Sequence, residues 1–160
     1  MNNSRACRRF DLQITDMTSD QLFTLASNLA MAGWIVLLFL PFWKKRELYI
    51  LAVPVILLAL LYSVLIFSSV DGDTLKNFGS LEGISLLFSD RTMLLAGWVH
   101  YLAFDLFAGV YIVRNARANN INHWLTTPTL ALTFLFGPVG LLLYTLLRTV
   151  ITRKYIVDQP

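Results

Sequence analysis

Apolar residues in this chain do not alternate with polar ones; they run on for more than twenty positions at a time. Four stretches are almost free of Asp, Glu, Lys and Arg: Gln21 to Trp43, Leu48 to Val70, Thr92 to Val113 (broken by Asp105) and Trp124 to Leu147. Each holds 22 to 24 residues by these endpoints, and about 20 apolar residues carry a helix across the hydrocarbon core of a bilayer. Barrel strands would be about 10 residues long and would alternate, so the runs predict helices. The expected fold is all-α, an integral membrane four-helix bundle. Its domain covers residues 21–150, with spans at about 21–43, 48–70, 92–113 and 124–147, a polar N-terminal tail over 1–20 and a C-terminal tail over 151–160. Between the second and third spans, Phe78, Leu81, Ser85 and Phe88 recur at roughly helical spacing, with Leu86 and Leu87 beside them. That predicts a short segment lying in the interface or re-entering the bundle.

Composition agrees. The chain is 56% hydrophobic and only 14% charged over 160 residues, with a mean hydropathy of +0.61, whereas soluble domains are about a quarter charged. A water-soluble fold of this length has too little interior to hide so many large apolar side chains. The net charge of +3 would suit a nucleic-acid binder. The basic residues, however, sit in small groups between apolar runs and form no stripe with interleaved aromatics, so no nucleic-acid partner is expected. Cys7 is alone, without a disulfide partner or zinc-ligand neighbours. Arg5, Arg8 and Arg9 imitate a secretory signal, but the run from Leu22 is too long for one and no cleavage site follows it before Pro41-Phe42-Trp43. Asp11, Asp16 and Asp20 argue against a transit peptide. Four spans place both termini on one side. Eight Lys and Arg then fall on that side (Arg5, Arg8, Arg9, Lys76, Arg91, Arg148, Arg153, Lys154) against five opposite, in two short loops. The count favours termini inside, while the density of the short loops favours the reverse.

Polar groups inside a span are expensive and mark function by default. With a rise of about 1.5 Å per residue, His100 lies roughly 12 Å into the third span, and Asn28, Tyr62-Ser63 and Gly137-Pro138 fall near the same depth. Pro138 removes a donor and leaves the carbonyl of Phe134 without its helical partner, which membranes tolerate only where protein, water or ligand restores the bond. Gly97 and Gly140 permit close helix approach. A narrow pocket opening towards the Asp71–Arg91 loop is the expected result. Asp105 is the single acid inside a span, near its centre, where an ionised carboxylate costs about 2.5–3.5 kcal/mol or more. It is therefore expected to be protonated, hydrogen-bonded or facing water. Helix geometry sets Trp98, Tyr101 and Asp105 on one stripe and His100, Phe104 and Phe107 on an adjoining one. Helix–helix glue is as good a reading of Asp105 as chemistry, and Tyr62, Tyr101 and Tyr144 read first as packing residues with a bonded hydroxyl. Glu82 reads as a solvated loop charge unless the loop dips over the pocket. His123 sits at the opposite end from His100, so the two cannot share a haem or metal; neither a metal nor a cofactor is expected.

Two long motifs carry a resemblance: Leu95-Ala-Gly-Trp-Val-His-Tyr-Leu-Ala-Phe-Asp-Leu-Phe-Ala-Gly109 and Leu132-Thr-Phe-Leu-Phe-Gly-Pro-Val-Gly-Leu-Leu-Leu-Tyr144. With Asn28, Gly33-Trp34, Pro41 and Leu81-Glu82-Gly83, the chain resembles the abscisic-acid-deficient-four-like family over about residues 20 to 150. The resemblance implies a relative of the plastid membrane proteins required for neoxanthin formation, in which a violaxanthin epoxide is isomerised to an allenic alcohol. The chain departs from the family after Gly109, where Val110-Tyr-Ile-Val precede the first basic residue, Arg114. No transit segment is read before the first span, so a bacterial inner membrane is expected, or a plastid membrane in a eukaryote.

Three readings follow. In the first, a cofactor-free isomerase opens an epoxy-carotenoid or related isoprenoid with Asp105 as acid and His100 as base. Asn28, Tyr62, Trp98, Tyr101, Gly137, Pro138 and Glu82 would then line the substrate site. In the second, the same pocket only binds a membrane lipid or carotenoid-like isoprenoid. In the third, the protein is a structural or assembly subunit whose polar layer is glue. The bilayer is a partner in each, and a homo-oligomer is compatible with all three. A transporter fits less well, because four helices with one acid would need oligomerisation to form a pathway.

Overall fold

The computed structural model describes residues 18–43, 45–70 and 72–153, with the side chain of Asp73 excepted. Most of the expected N-terminal tail, and the C-terminal tail beyond residue 153, lie outside the described residues. Every regular element among those described is helical: α1 (Ser19–Phe39), α2 (Arg46–Ser69), α3 (Gly72–Asn77), α4 (Leu81–Leu87), α5 (Arg91–Ala118), α6 (His123–Phe136) and α7 (Pro138–Thr152). α1, α2 and α5 are long and apolar enough to cross a membrane.

Local chemistry sets the boundaries. Thr18 and Gln21 close a capping box at the start of α1, with Gln21 N donating to Thr18 Oγ1 at 3.4 Å and Thr18 N to Gln21 Oε1 at 3.0 Å. α1 stops at Phe39, short of the predicted Trp43, because Pro41 cannot continue the backbone ladder. In α2, Leu51–Val55 winds as a π-helical turn around Pro54. The wider turn absorbs the bond that proline cannot donate. Asp90 caps α5, its Oδ1 accepting from Thr92 N and Met93 N, both at 2.9 Å. α5 also outruns its apolar stretch, reaching Ala118 and carrying Arg114 and Arg117 on its last turns. The loop after α2 forms two helices where its spacing predicts one. Ser80 caps α4 and so ends the continuity, while Leu81 and Leu86 stay exposed, as in an interfacial segment.

α5 is the axis, packed on α1, α2, α6 and α7. α1 runs parallel to it, matched in order by Asp20 with Arg91, Ser27 with Trp98, Gly33 with Leu106 and Trp34 with Gly109. α2 runs back between them, with Tyr62 beside His100. Ala26, Ala30, Leu58, Leu65, Leu95 and Val99 fill the half towards Arg91. Trp34, Leu37, Val110, Val113, Leu130 and Tyr144 fill the half towards Ala118.

The fourth predicted span is not a crossing. Gly137 (φ 41°, ψ −92°) ends α6 and Pro138 opens α7. The two helices fold against each other so closely that a Cβ at Gly140 would meet Thr133 N and Oγ1. The direction of α7 follows from Tyr144, whose hydroxyl donates to Asn115 Oδ1 at 2.6 Å, and from Leu141 and Tyr144 sharing a core with Val110, Val113 and Ala116. Gly137 lies against Asp105, halfway along α5. The chain therefore enters at the Ala118 end, reverses at mid-height and leaves where it entered. The re-entrant element that the sequence suggests between the second and third spans follows the third instead, and the four-helix bundle becomes three long helices with a helical hairpin.

This changes the charge count. Among the described residues, Lys45, Arg46, Arg114, Arg117, Arg148 and Arg153 gather at the Ala118 end, and only Lys76 and Arg91 at the other. The positive-inside rule predicts from this imbalance that the Ala118 end faces the cytoplasm or its equivalent compartment. The chain then leaves the membrane on the side opposite to Ser19, not on the shared side that four spans require. In a Cys7→Ser background, single cysteines at Ser80 and Thr152 are expected to react with a membrane-impermeant maleimide from opposite sides of sealed vesicles. Labelling of both from one side would restore the four-crossing arrangement.

Candidate functional site

The reversal at Gly137 brings the intramembrane acid to a broken helix. Asp105 is only 8% exposed. Its carboxyl lies so close to Gly137 that a Cβ there would collide with Oδ1, and Oδ2 is buried without a hydrogen-bond partner among the described residues. The group sits at the first turn of α7, where backbone N–H groups have no carbonyl one turn back and the helix dipole is positive. Tyr101, one turn before Asp105 on α5, donates its hydroxyl to the Leu135 carbonyl at 3.2 Å. That carbonyl belongs to the last turn of α6, and a helix end leaves such acceptors open. Trp98 continues the stripe, its ring 5.6 Å from Tyr101 and its Nε1 donating to Ser27 Oγ at 3.2 Å. Tyr101, Asp105, Gly137 and Pro138 thus form one constellation, with Trp98 leading from it towards α1.

The other residues singled out from sequence lie elsewhere. His100 is exposed and packs its ring on Tyr62 at 5.3 Å and on Phe104 at 4.5 Å. Five helical residues turn about 140°, so His100 addresses the α2 side while Asp105 addresses the hairpin. Asn28 is exposed on α1, beside Ser27. Glu82 is exposed in the first turn of α4. Tyr62 lies level with His100 and Asn28 follows Ser27, which meets Trp98, but Gly137, expected in the same layer, lies more than a turn further along, against Asp105.

Sequence reasoning missed a second polar centre, at the Ala118 end. Arg46 and Glu47 open α2 and are both buried, at 2% and 5% exposure. Glu47 accepts from Arg46 Nε (3.2 Å) through Oε1, and from both terminal nitrogens of Arg117, Nη2 to Oε1 at 2.7 Å and Nη1 to Oε2 at 3.2 Å. Arg46 Nη2 lies 3.4 Å from His123 Nδ1, and His123 Nε2 lies 3.0 Å from the Leu38 carbonyl. Arginine only donates and a carbonyl only accepts, so these partners assign the ring proton to Nε2. Burial holds His123 below the usual imidazole range, and the Arg46 and Arg117 charges push the same way. Each of these residues is visible in the sequence as a charged or polar group at the end of an apolar run. Nothing in the sequence shows that residues 46–47 meet residues 117 and 123.

The sequence profile described as ABA DEFICIENT 4-like matches residues 21–144. Protein ABA DEFICIENT 4, chloroplastic, of Arabidopsis thaliana is 32% identical to this chain over 111 residues, which are 65% of this chain and 49% of that protein. The chain thus spans about half the length of this curated relative. No solved structure matches.

Proposed function

We propose that this chain, which belongs to the ABA DEFICIENT 4-like family, binds an oxygenated, carotenoid-like isoprenoid within the membrane and presents its oxygen to Asp105. The observation that carries this reading is the buried, unpartnered Asp105 Oδ2 beside the helix break at Gly137. The family resemblance supplies the substrate class and the reaction type, isomerisation of an epoxide. In its acid form Asp105 donates a proton to the epoxide oxygen as the ring C–O bond opens. The carbon next to the opened ring position gives its proton to the Asp105 carboxylate so formed, which returns Asp105 to its acid form, so the reaction is redox-neutral and consumes no cofactor. Tyr101 tethers α5 to the end of α6 and fixes the carboxyl against the hairpin tip. His100, on the α2 side, is outside this constellation and serves as a control.

The test is an absorbance spectrum and lipid mass analysis of detergent-purified protein from a carotenoid-producing host, with Asp105→Asn and His100→Ala beside the wild type. Wild type is expected to carry a stoichiometric isoprenoid. Loss of a general acid costs about 10²–10⁴-fold in rate, so Asp105→Asn should hold the epoxide unconverted, whereas His100→Ala should convert it. Retention of an unchanged isoprenoid by all three proteins would make the site a carrier. No enriched isoprenoid in any of them, with Asp105→Asn merely less stable, would leave Asp105 as structural glue and sink the proposal.

A further inference from the structure

We propose that the cavity of about 120 Å³ at the Ala118 end, bounded by Pro41, Arg46, Ala116, Arg117, His123 and Thr126, is an oxyanion site that takes a phosphate group on Arg46. Glu47, the carboxylate beside it, already accepts three bonds through its two oxygens, one from Arg46 and two from Arg117. Arg46 is 2% exposed, with Nε engaged by Glu47 and Nη2 by His123. Its Nη1 is buried with no acceptor among the described residues.

No group on the walls accepts from it. His123 uses its one lone-pair nitrogen on Arg46 Nη2 and directs its N–H to Leu38. Thr126 directs its hydroxyl proton to the His123 carbonyl, and Val113, Ala116 and Ile121 add hydrocarbon. An anion supplies the acceptor that Nη1 lacks, and guanidinium forks match phosphate geometry. A metal cation would meet donors where it needs lone pairs. The cavity volume is ample for one tetrahedral oxyanion. Trp43 and Trp124, both exposed, stand at the same end, at the level where indoles meet lipid headgroups. The phosphate is therefore either that of an anionic lipid or free in solution; the chemistry is the same.

Thermal unfolding of the full chain in detergent, followed by tryptophan fluorescence, distinguishes the sources. One arm titrates inorganic phosphate against chloride at constant ionic strength. The other compares mixed micelles containing phosphatidic acid with phosphatidylcholine alone. A saturable rise in Tm of about 5–10 °C is expected once the probe exceeds its Kd about 100-fold. A rise with phosphate assigns the site to the free anion, and a rise only with phosphatidic acid assigns it to the headgroup. Arg46→Gln removes the donor but also a buried ion pair, so Ala116→Leu is the second variant. It fills the cavity, leaves all four polar side chains in place and should abolish the rise measured against its own baseline. No saturable rise in either arm would mean that the cavity holds only water, and an undiminished rise in Ala116→Leu would mean that the anion binds elsewhere; either would overturn the proposal.

Discussion

Replacing Glu47 by alanine is expected to destabilise the protein by about 3–5 kcal/mol, the range for removing one partner of a buried ion pair. For a chain of this size that corresponds to a fall in Tm of roughly 6–20 °C. Glu47 accepts from both guanidiniums, and it joins the start of α2 to the end of α5 through Arg117 Nη1 and Nη2. The two arginines do not suffer equally. The Arg117 side chain is 49% exposed and can return to water, whereas Arg46, with a side chain 2% exposed, cannot. Most of the loss should therefore come from Arg46 left charged and buried, not from the broken bonds themselves. That account makes a second, opposite expectation. Arg46→Leu combined with Glu47→Leu removes the buried charge together with its partner, and should recover most of the stability lost in Glu47→Ala. A double variant no more stable than Glu47→Ala would show that the pair acts by direct attraction. A loss below about 0.5 kcal/mol in Glu47→Ala, the size of an ordinary surface substitution, would remove the network from the account altogether.

Gly137→Ala is expected to be nearly as damaging, for two separable reasons. The backbone at φ 41° and ψ −92° suits glycine alone, and holding another residue in such a region costs about 1–3 kcal/mol. The new Cβ would also strike the carboxyl of Asp105, in a packed interior where small overlaps cost about 1–3 kcal/mol more. Asp105→Ala relieves the collision and leaves the dihedral strain. The loss in the double variant should therefore fall at least about 1 kcal/mol short of the sum of the two single losses, because contacting residues do not add. Additive losses would mean that Asp105 does not touch the hairpin tip. A Gly137→Ala protein as stable as wild type would mean that the reversal does not depend on this residue.

The Gly137-Pro138 pair shows how far the sequence goes. A proline that follows glycine in an apolar run announces a break, and the break is there. Whether the chain kinks and continues or reverses depends on Gly140 against Thr133, Tyr144 on Asn115 and Asp105 at the tip. Residues 115 and 144 are far apart in sequence, and no local pattern couples them. The orientation reading inherits the same dependence. Counting Lys and Arg needs to know which loop lies on which side, so the hairpin moves Arg148 and Arg153 to the other end and turns the count round. Asp105 was legible because an acid inside an apolar run is costly wherever it points. That His100 faces Tyr62 instead of Asp105 was not legible, because the face of α5 that each neighbour covers is set by α2 and by the hairpin.

The sequence alone determined that this is an all-helical chain with long apolar helices, that one acid lies among them, and to which family it belongs. Those properties follow from transfer of apolar side chains and from residue order, which are local and add along the chain. Only the tertiary structure decided that the fourth apolar run returns to its own side, that Asp105 meets the broken helix, and that Arg46, Glu47, Arg117 and His123 share one buried centre. Each of these is a contact between residues distant in sequence, made by packing and hydrogen bonding that no stretch of chain encodes by itself.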